Sequence, residues 1–379
     1  MSRRPAAEAF AAIIAAALLA KPAEAEVFNS SAGLVQVATV GPVFEHPWAL
    51  AFLPDFPQTG ALLVTERPGR LVLIERGARR EVAGLPEIAA QGQGGLLDVA
   101  LAPDFSRTGA LYLTHSSPAP GGGSNTVVTR ALFDREALRL RDARPVLRMT
   151  SDARTDRHYG ARLAFAPDGT LYVTMGERGD RESAQDPYSH NGKVHRITPD
   201  GGIPSDNPFA NGGGLSSVWS LGHRNPQGAA IDPATGALWT VEHGARGGDE
   251  VNRPEPGVNY GWPVISYGTH YSGRRIGEGT EAPGYAQPVH YWDPSIAPSG
   301  LAFYHGSLFP EWEGDLFVGA LKDQMLLRLR LQDGEVVAEE PLFEGAFGRI
   351  RDVRLGPDGA IWFLTDEAEG RLHRISPML

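Results

Sequence analysis

One pattern recurs six times along the chain, and it limits the fold more than any other feature. An apolar pair leads into a turn carrying Pro-Asp or Asp-Pro, and a short alternating apolar strand follows. It reads LAFLPDFPQTGALLVTE at 50–66, VALAPDFSRTGALYLTH at 99–115, LAFAPDGTLYVTMGE at 163–177 and AAIDPATGALWTVEH at 229–243. A degenerate copy, LAFYHGSLFPEWEGDLFVGAL, occupies 301–321, and VRLGPDGAIWFLTDE at 353–367 ends the series. Each copy reads as strand, tight turn and strand, from its alternation and its β-branched and aromatic content around Gly, Asp and Pro. A single hairpin cannot bury both of its faces, but a ring of small sheets can. Six copies therefore predict an all-β, six-bladed β-propeller with its sites on a central channel. The competing arrangement is a β-sandwich with coincidental turns. RLHRI at 371–375 is expected to form an outer strand that closes the ring with N-terminal sequence. The stretches 178–217 and 244–300, rich in Gly, Pro, Asp, Asn and Tyr, are expected to be long loops carrying much of the active site.

Composition narrows the chemistry. A net charge of -10 over 379 residues argues against a nucleic-acid binder. With no cysteine, disulfides, thiolate metal sites and Cys nucleophiles are excluded. The N-terminus carries Arg3 and Arg4, an 11-residue apolar stretch from Phe10 to Ala20 and a small-x-small Ala23-Glu24-Ala25. That is the layout of a secretory signal peptide, and the apolar stretch is too short to span a bilayer. Residues 1–25 are expected to be removed and 26–379 to form the propeller, in the periplasm and without a transmembrane segment. Removal takes away three positive and two negative charges, leaving a mature chain at -11.

Candidate functional residues cluster before strands and in loops. Gln93 sits among glycines in QGQGGLLD, where the backbone or a ligand can approach closely. His158 precedes the strand of the third copy, and its titration range suits a general base. His223, Arg224 and Asn225 are consecutive in LGHRNPQG. Arg224 offers planar donors to a carboxylate or oxyanion, and Asn225 offers both a donor and an acceptor. VEHGARGGDEVN combines glycines with Asp249 and Glu250, and Tyr260 follows in NYGWP, a set rich in hard oxygen ligands. Lys322, Arg349 and Arg351 lie near the end, with the two arginines spaced to project together from a strand. In an acidic protein these cations suggest a small polyanionic ligand. Taken singly, Gln93 reads first as part of a solvated turn, His158 as a structural histidine and 241–252 as an acidic loop, and the four cations also read as unrelated surface charges.

The motifs GQGGLLDVALAPDF, LGHRNPQG, NYGWP, ALKDQ and GRIRDV, in this order, resemble the soluble quinoprotein sugar dehydrogenases. The resemblance runs from about residue 40 to the C-terminus and is nearest to the periplasmic aldose sugar dehydrogenases. It implies oxidation of an aldose at the anomeric carbon to a lactone, with pyrroloquinoline quinone (PQQ) and calcium bound over the channel mouth. It implies that His158 is the base and that Arg224 also serves catalysis. Quinone contacts fall on Gln93, His158, Arg224, Asn225, Ser295, Lys322, Arg349 and Arg351. A calcium beside the quinone falls on the carbonyls of Gly244 and Ala245, and a second, structural calcium on Glu250, Tyr260 and Asp249. The chain departs from soluble glucose dehydrogenase in having Arg157 for an Asp, Ala245 for a Pro and Ser295 for a Thr, and in lacking a long loop. The implied partners are an aldose and an external electron acceptor, for a monomer or dimer. The competing functions are a metal-dependent propeller lactonase and a propeller that only binds sugars or proteins.

Overall fold

The repeats become the two inner strands of six blades. The computed structural model describes residues 25–119, 121–151 and 154–378, so the expected signal peptide lies almost wholly outside the described residues. Each hairpin turn puts one glycine in the left-handed region, where a side chain would be strained. These are Gly60, Gly109, Gly169, Gly236, Gly314 and Gly359, with φ between 64° and 83°. The degenerate fifth copy keeps this glycine, so it makes the same reversal.

Six antiparallel sheets result. Their inner strands are Pro47–Phe52, Leu96–Leu101, Gly160–Phe165, Pro226–Ile231, Pro298–Phe303 and Ile350–Leu355. Each inner strand packs against the next, and the sixth against the first, which closes a β-propeller around its channel. Second strands are buried on both sides, as in Leu62–Glu66 and Leu171–Met175, because neighbouring blades cover both faces. Outer strands such as Ala78–Val82 and Glu335–Leu342 are largely exposed and correspondingly charged.

Threonines in the second strands tie blade to blade. Thr65, Thr114 and Thr174 each donate a hydrogen bond to a carbonyl of the following blade's inner strand, at Leu97, Ala161 and Pro226. Each also accepts from a main-chain N–H of its own blade, at Ala49, Asp98 and Arg162. Buried hydroxyls and amides are thus satisfied where sheets meet edge-on to the channel.

Two expectations need correction. RLHRI does not form an outer strand. It lies in Gly370–Pro377, the third strand of the sixth blade, and pairs with N-terminal Gly33–Phe44, which Glu26–Ser30 flanks on the outside. The chain's start thus supplies the outermost strands, so closure follows but one layer further out. The stretches 178–217 and 244–300 are also not plain loops. They hold the strands Lys193–Ile197, Asp249–Asn252 and His290–Trp292, whose short length and polar content hid them.

Candidate active site

All six inner strands start at one end of the channel, so the residues just before them converge there. A cavity of about 210 Å³ opens at this mouth, floored in part by Trp48 and lined by Gln93, Asn225, Arg349 and Arg351 among others. A second cavity, of about 10 Å³, adjoins it across His243 and is lined by Arg224, Gly244, Glu250 and Tyr260. Its size suits one ion or water. The stretch 178–217 lines neither cavity.

His158 has 13% of its side chain exposed and lines neither cavity itself, but it directly precedes Tyr159 and Gly160, which line the mouth. Its backbone is left-handed, with φ 55°, an uncommon conformation for a residue with a Cβ. Gln93 Oε1 accepts the His158 main-chain N–H at 2.8 Å, joining two candidate residues 65 positions apart. The ring Nδ1 meets Glu177 Oε1 at 2.5 Å. A carboxylate there keeps the proton on Nδ1 and leaves Nε2 as the acceptor. Desolvation holds the imidazole below its ordinary pKa, Glu177 pulls the other way, and the Arg224 cation lowers it further.

Two of the predicted cations, Arg224 and Arg349, differ from ordinary salt-bridged arginines. Arg224 is buried, donates Nη1 to the His243 carbonyl at 3.0 Å and leaves Nε buried without a partner. Arg349 donates to the Leu321 carbonyl at 3.2 Å. Lys322 reaches the Ser295 carbonyl and Asp323, and its side chain is 56% exposed. Arg351 is different: Nη2 and Nε meet Asp366 at 2.6 and 3.2 Å, and Nη1 meets Gln227. That pair holds the Asp366 carboxyl far below the usual carboxylate range.

On the candidate metal side, Asp249 accepts from Gly244 N with one oxygen, and from Ser295 Oγ and Ala297 N with the other. It braces the 244–248 turn and lines neither cavity. Ser295 turns its hydroxyl to Asp249 and does not line the cavities. Glu250 and Glu242 both accept from the single amide of Asn252, at 3.0 and 2.9 Å. Desolvation, reinforced by Glu242, pushes the Glu250 carboxyl up to about 8. The carbonyls of Gly244 and Ala245 accept no hydrogen bond from the described residues.

Glu177, Trp48, Arg67, Gln227 and Asp366 belong to this mouth and were not singled out in the sequence. A signal for Glu177 and Asp366 existed. Both fall just after the second strand of a repeat, as Glu242 falls at its end, and this is where a hairpin returns to the mouth.

A family model for glucose/sorbosone dehydrogenase matches residues 44–374. The chain belongs to the glucose/sorbosone dehydrogenase family. Membership makes it a sugar dehydrogenase by class. Within the family it is 42% identical to the aldose sugar dehydrogenase YliI of Escherichia coli, over 90% of this chain and 93% of that one. It is 26% identical to quinoprotein glucose dehydrogenase B of Acinetobacter calcoaceticus, over 86% of this chain and 84% of the relative. The solved PQQ-bound aldose sugar dehydrogenase of Streptomyces coelicolor superposes with a TM-score of 0.75 at 30% identity, covering 94% of this chain and 99% of that one.

Proposed function

We propose that the protein oxidises aldose sugars at the anomeric carbon to lactones, with PQQ and calcium bound at the mouth. One observation carries the reading: an imidazole whose Nδ1 is fixed by Glu177 lies near Arg224, and neither Arg224 nor Arg349 has an ion pair among the described residues. Arg224 offers a test of fit. Its Nε lacks a partner, and Arg349 has only a main-chain carbonyl. The three carboxylates of the quinone are the partners such groups lack. Arg351 fits less freely, because Asp366 already holds it. For calcium, the free carbonyls of Gly244 and Ala245 are hard oxygen donors. Glu250, crowded against Glu242 beside the small cavity with Tyr260, suits a second calcium. Asp249 suits it less, since both oxygens are already engaged.

When bound, the quinone supplies the two-electron acceptor and calcium a Lewis acid beside it. The chain's own part is proton handling and orientation. His158 Nε2 accepts the proton of the anomeric hydroxyl, and Glu177 stabilises the imidazolium that forms. Gln93 holds the His158 main chain in place. Loss of that proton, with the anomeric hydrogen and its electron pair, turns a cyclic aldose into a lactone. An external acceptor takes the electrons away, and export to the periplasm on residues 1–25 completes the proposal.

A lactonase would need carboxylates free to cage a metal on the axis, but Asp98 and Asp352 there are bound to Arg162 and Arg354. The deciding experiment adds PQQ and calcium to the apoprotein and follows dye reduction with several aldoses. Reduction that requires both additions supports the proposal. Lactone hydrolysis without dye reduction overturns it.

A further inference from the structure

Arg178 follows Glu177 and has no ion pair among the described residues, yet it is 0% exposed. A buried guanidinium without a carboxylate is costly unless its donors are met in another way. Here Nη1 and Nη2 meet main-chain oxygens, while Nε stays buried without a partner among the described residues. Nη2 donates to the carbonyls of Thr155, at 2.7 Å, and Ser124, at 2.9 Å. Nη1 donates to the carbonyl of Arg157, the residue directly before His158. The guanidinium lies over the Tyr159 ring, 3.6 Å from its centroid, and the Tyr159 hydroxyl bonds Ser124 Oγ at 2.8 Å. Thr155 Oγ in turn donates to the Arg178 carbonyl at 2.5 Å. Arg178 thus grips 155, 157 and 159, the residues that flank His158 on both sides. Both His158 and Arg178 sit at positive φ, 55° and 59°, so the two facing segments are held in conformations that local sterics disfavour.

We propose that Arg178 is the positioning residue of the base: its planar fork sets the backbone of 155–159 so that His158 Nδ1 stays on Glu177. Lysine carries the same charge but cannot satisfy three carbonyls in one plane while stacking on a ring. This inference rests on His158 being the proton acceptor. Its test therefore includes a readout that needs neither sugar nor quinone.

In the apoprotein, nitrogen NMR of the His158 ring should show one Nδ1–H tautomer in the wild type and a mixture in Arg178→Lys. An unchanged tautomer overturns the proposal whether or not the enzyme turns over. In the loaded enzyme, Arg178→Lys should lower kcat about 10- to 100-fold, the scale of a small misplacement. KM for the sugar and the quinone needed for half activation should stay within about twofold, since Arg178 touches neither. Against a His158→Ala background the same substitution should change the residual rate little, because nothing is left to position. An equal fall in both backgrounds marks a general structural role and overturns the proposal. Should Arg178→Lys not fold, Arg178→Gln decides: it removes the fork without leaving a buried charge, and an unchanged tautomer there overturns the idea.

Discussion

The channel has a waist and a mouth, and both are rich in arginine, yet they are built on opposite principles. The waist lies two residues into the inner strands, about 7 Å below the mouth at strand rise. There Arg162 Nη1 lies 3.2 Å from Asp98 and 3.0 Å from Asp352, and Arg354 reaches the same two aspartates at 3.0 Å each. Two cations meet two anions. The aspartates also accept main-chain N–H groups of Leu163 and Leu50, so the network ties the second, third, sixth and first blades together. At the mouth, Arg224 and Arg349 have carbonyls in place of carboxylates. The waist balances its charges within itself, although Arg162 Nη2 has no hydrogen-bond partner among the described residues, whereas the mouth leaves Arg224 and Arg349 without an anion. Trp48 meets both regions, with Arg162 4.2 Å and Arg351 5.9 Å from its ring centre.

The largest effect is expected at the mouth. His158→Ala should lower turnover by about two to four orders of magnitude, the scale of general base catalysis, with quinone binding nearly intact. Near-normal turnover in a steady-state assay would remove His158 from the proton-accepting role. At the waist the response should be stability. Arg162 is 1% exposed, and its loss leaves two buried aspartates to share Arg354 alone. Arg162→Ala should cost about 3–5 kcal/mol in denaturant unfolding, as for breaking a buried pair from one side. An Arg162→Ala protein that unfolds like the wild type would break the contrast between the two regions.

Quinone titration sharpens it next. Arg349→Ala should raise the quinone concentration for half activation at least tenfold and leave apoprotein stability almost unchanged, since only a carbonyl contact is lost. Lys322→Ala should do the same more weakly, its side chain being mostly exposed. Arg351→Ala should affect both quantities, because it also leaves Asp366 with His46 alone. If Arg349→Ala and Arg351→Ala destabilise the apoprotein equally, the mouth is a structural network like the waist.

Much of this was legible in the sequence, in proportion to how local the physics is. The six turns and their glycines are set by neighbouring residues, so the blades could be counted. The short strands Lys193–Ile197 and Asp249–Asn252 escaped because pairing with other segments, not their own pattern, makes them strands. Gln93, His158, Arg224 and Arg349 stood out because each is polar just before an apolar strand. Their partners did not. Whether Arg351 is a free cation or the mate of Asp366, and whether Asp249 is a ligand or a brace for Ser295, depends on which oxygen reaches which donor across blades. Composition carries no trace of that. Glu177 was hidden differently: as the last residue of a repeat copy it looked like part of the strand pattern.

The smallest expected effect is a displacement in pH, and its sign follows from the surroundings of His158. Catalysis needs the neutral imidazole. Desolvation disfavours the charged ring, Arg224 and Arg157 disfavour it further, and Glu177 favours it; the net direction is downward. A lowered pKa keeps the ring neutral at more acid pH. The acid limb of kcat/KM should therefore fall below about 6.5, the ordinary histidine value. Glu177→Gln removes the one opposing influence, so its acid limb should lie lower still. The same change replaces a carboxylate that holds the Nδ1 proton with an amide that can also donate to Nδ1. Turnover on the plateau should then fall as well, because Nε2 is no longer reliably the free acceptor. Rate profiles of both proteins between about pH 5 and 8 separate the two effects. A wild-type limb above the ordinary value would mean that Glu177 outweighs burial. That would make the mouth, like the waist, a region governed by its carboxylate partners.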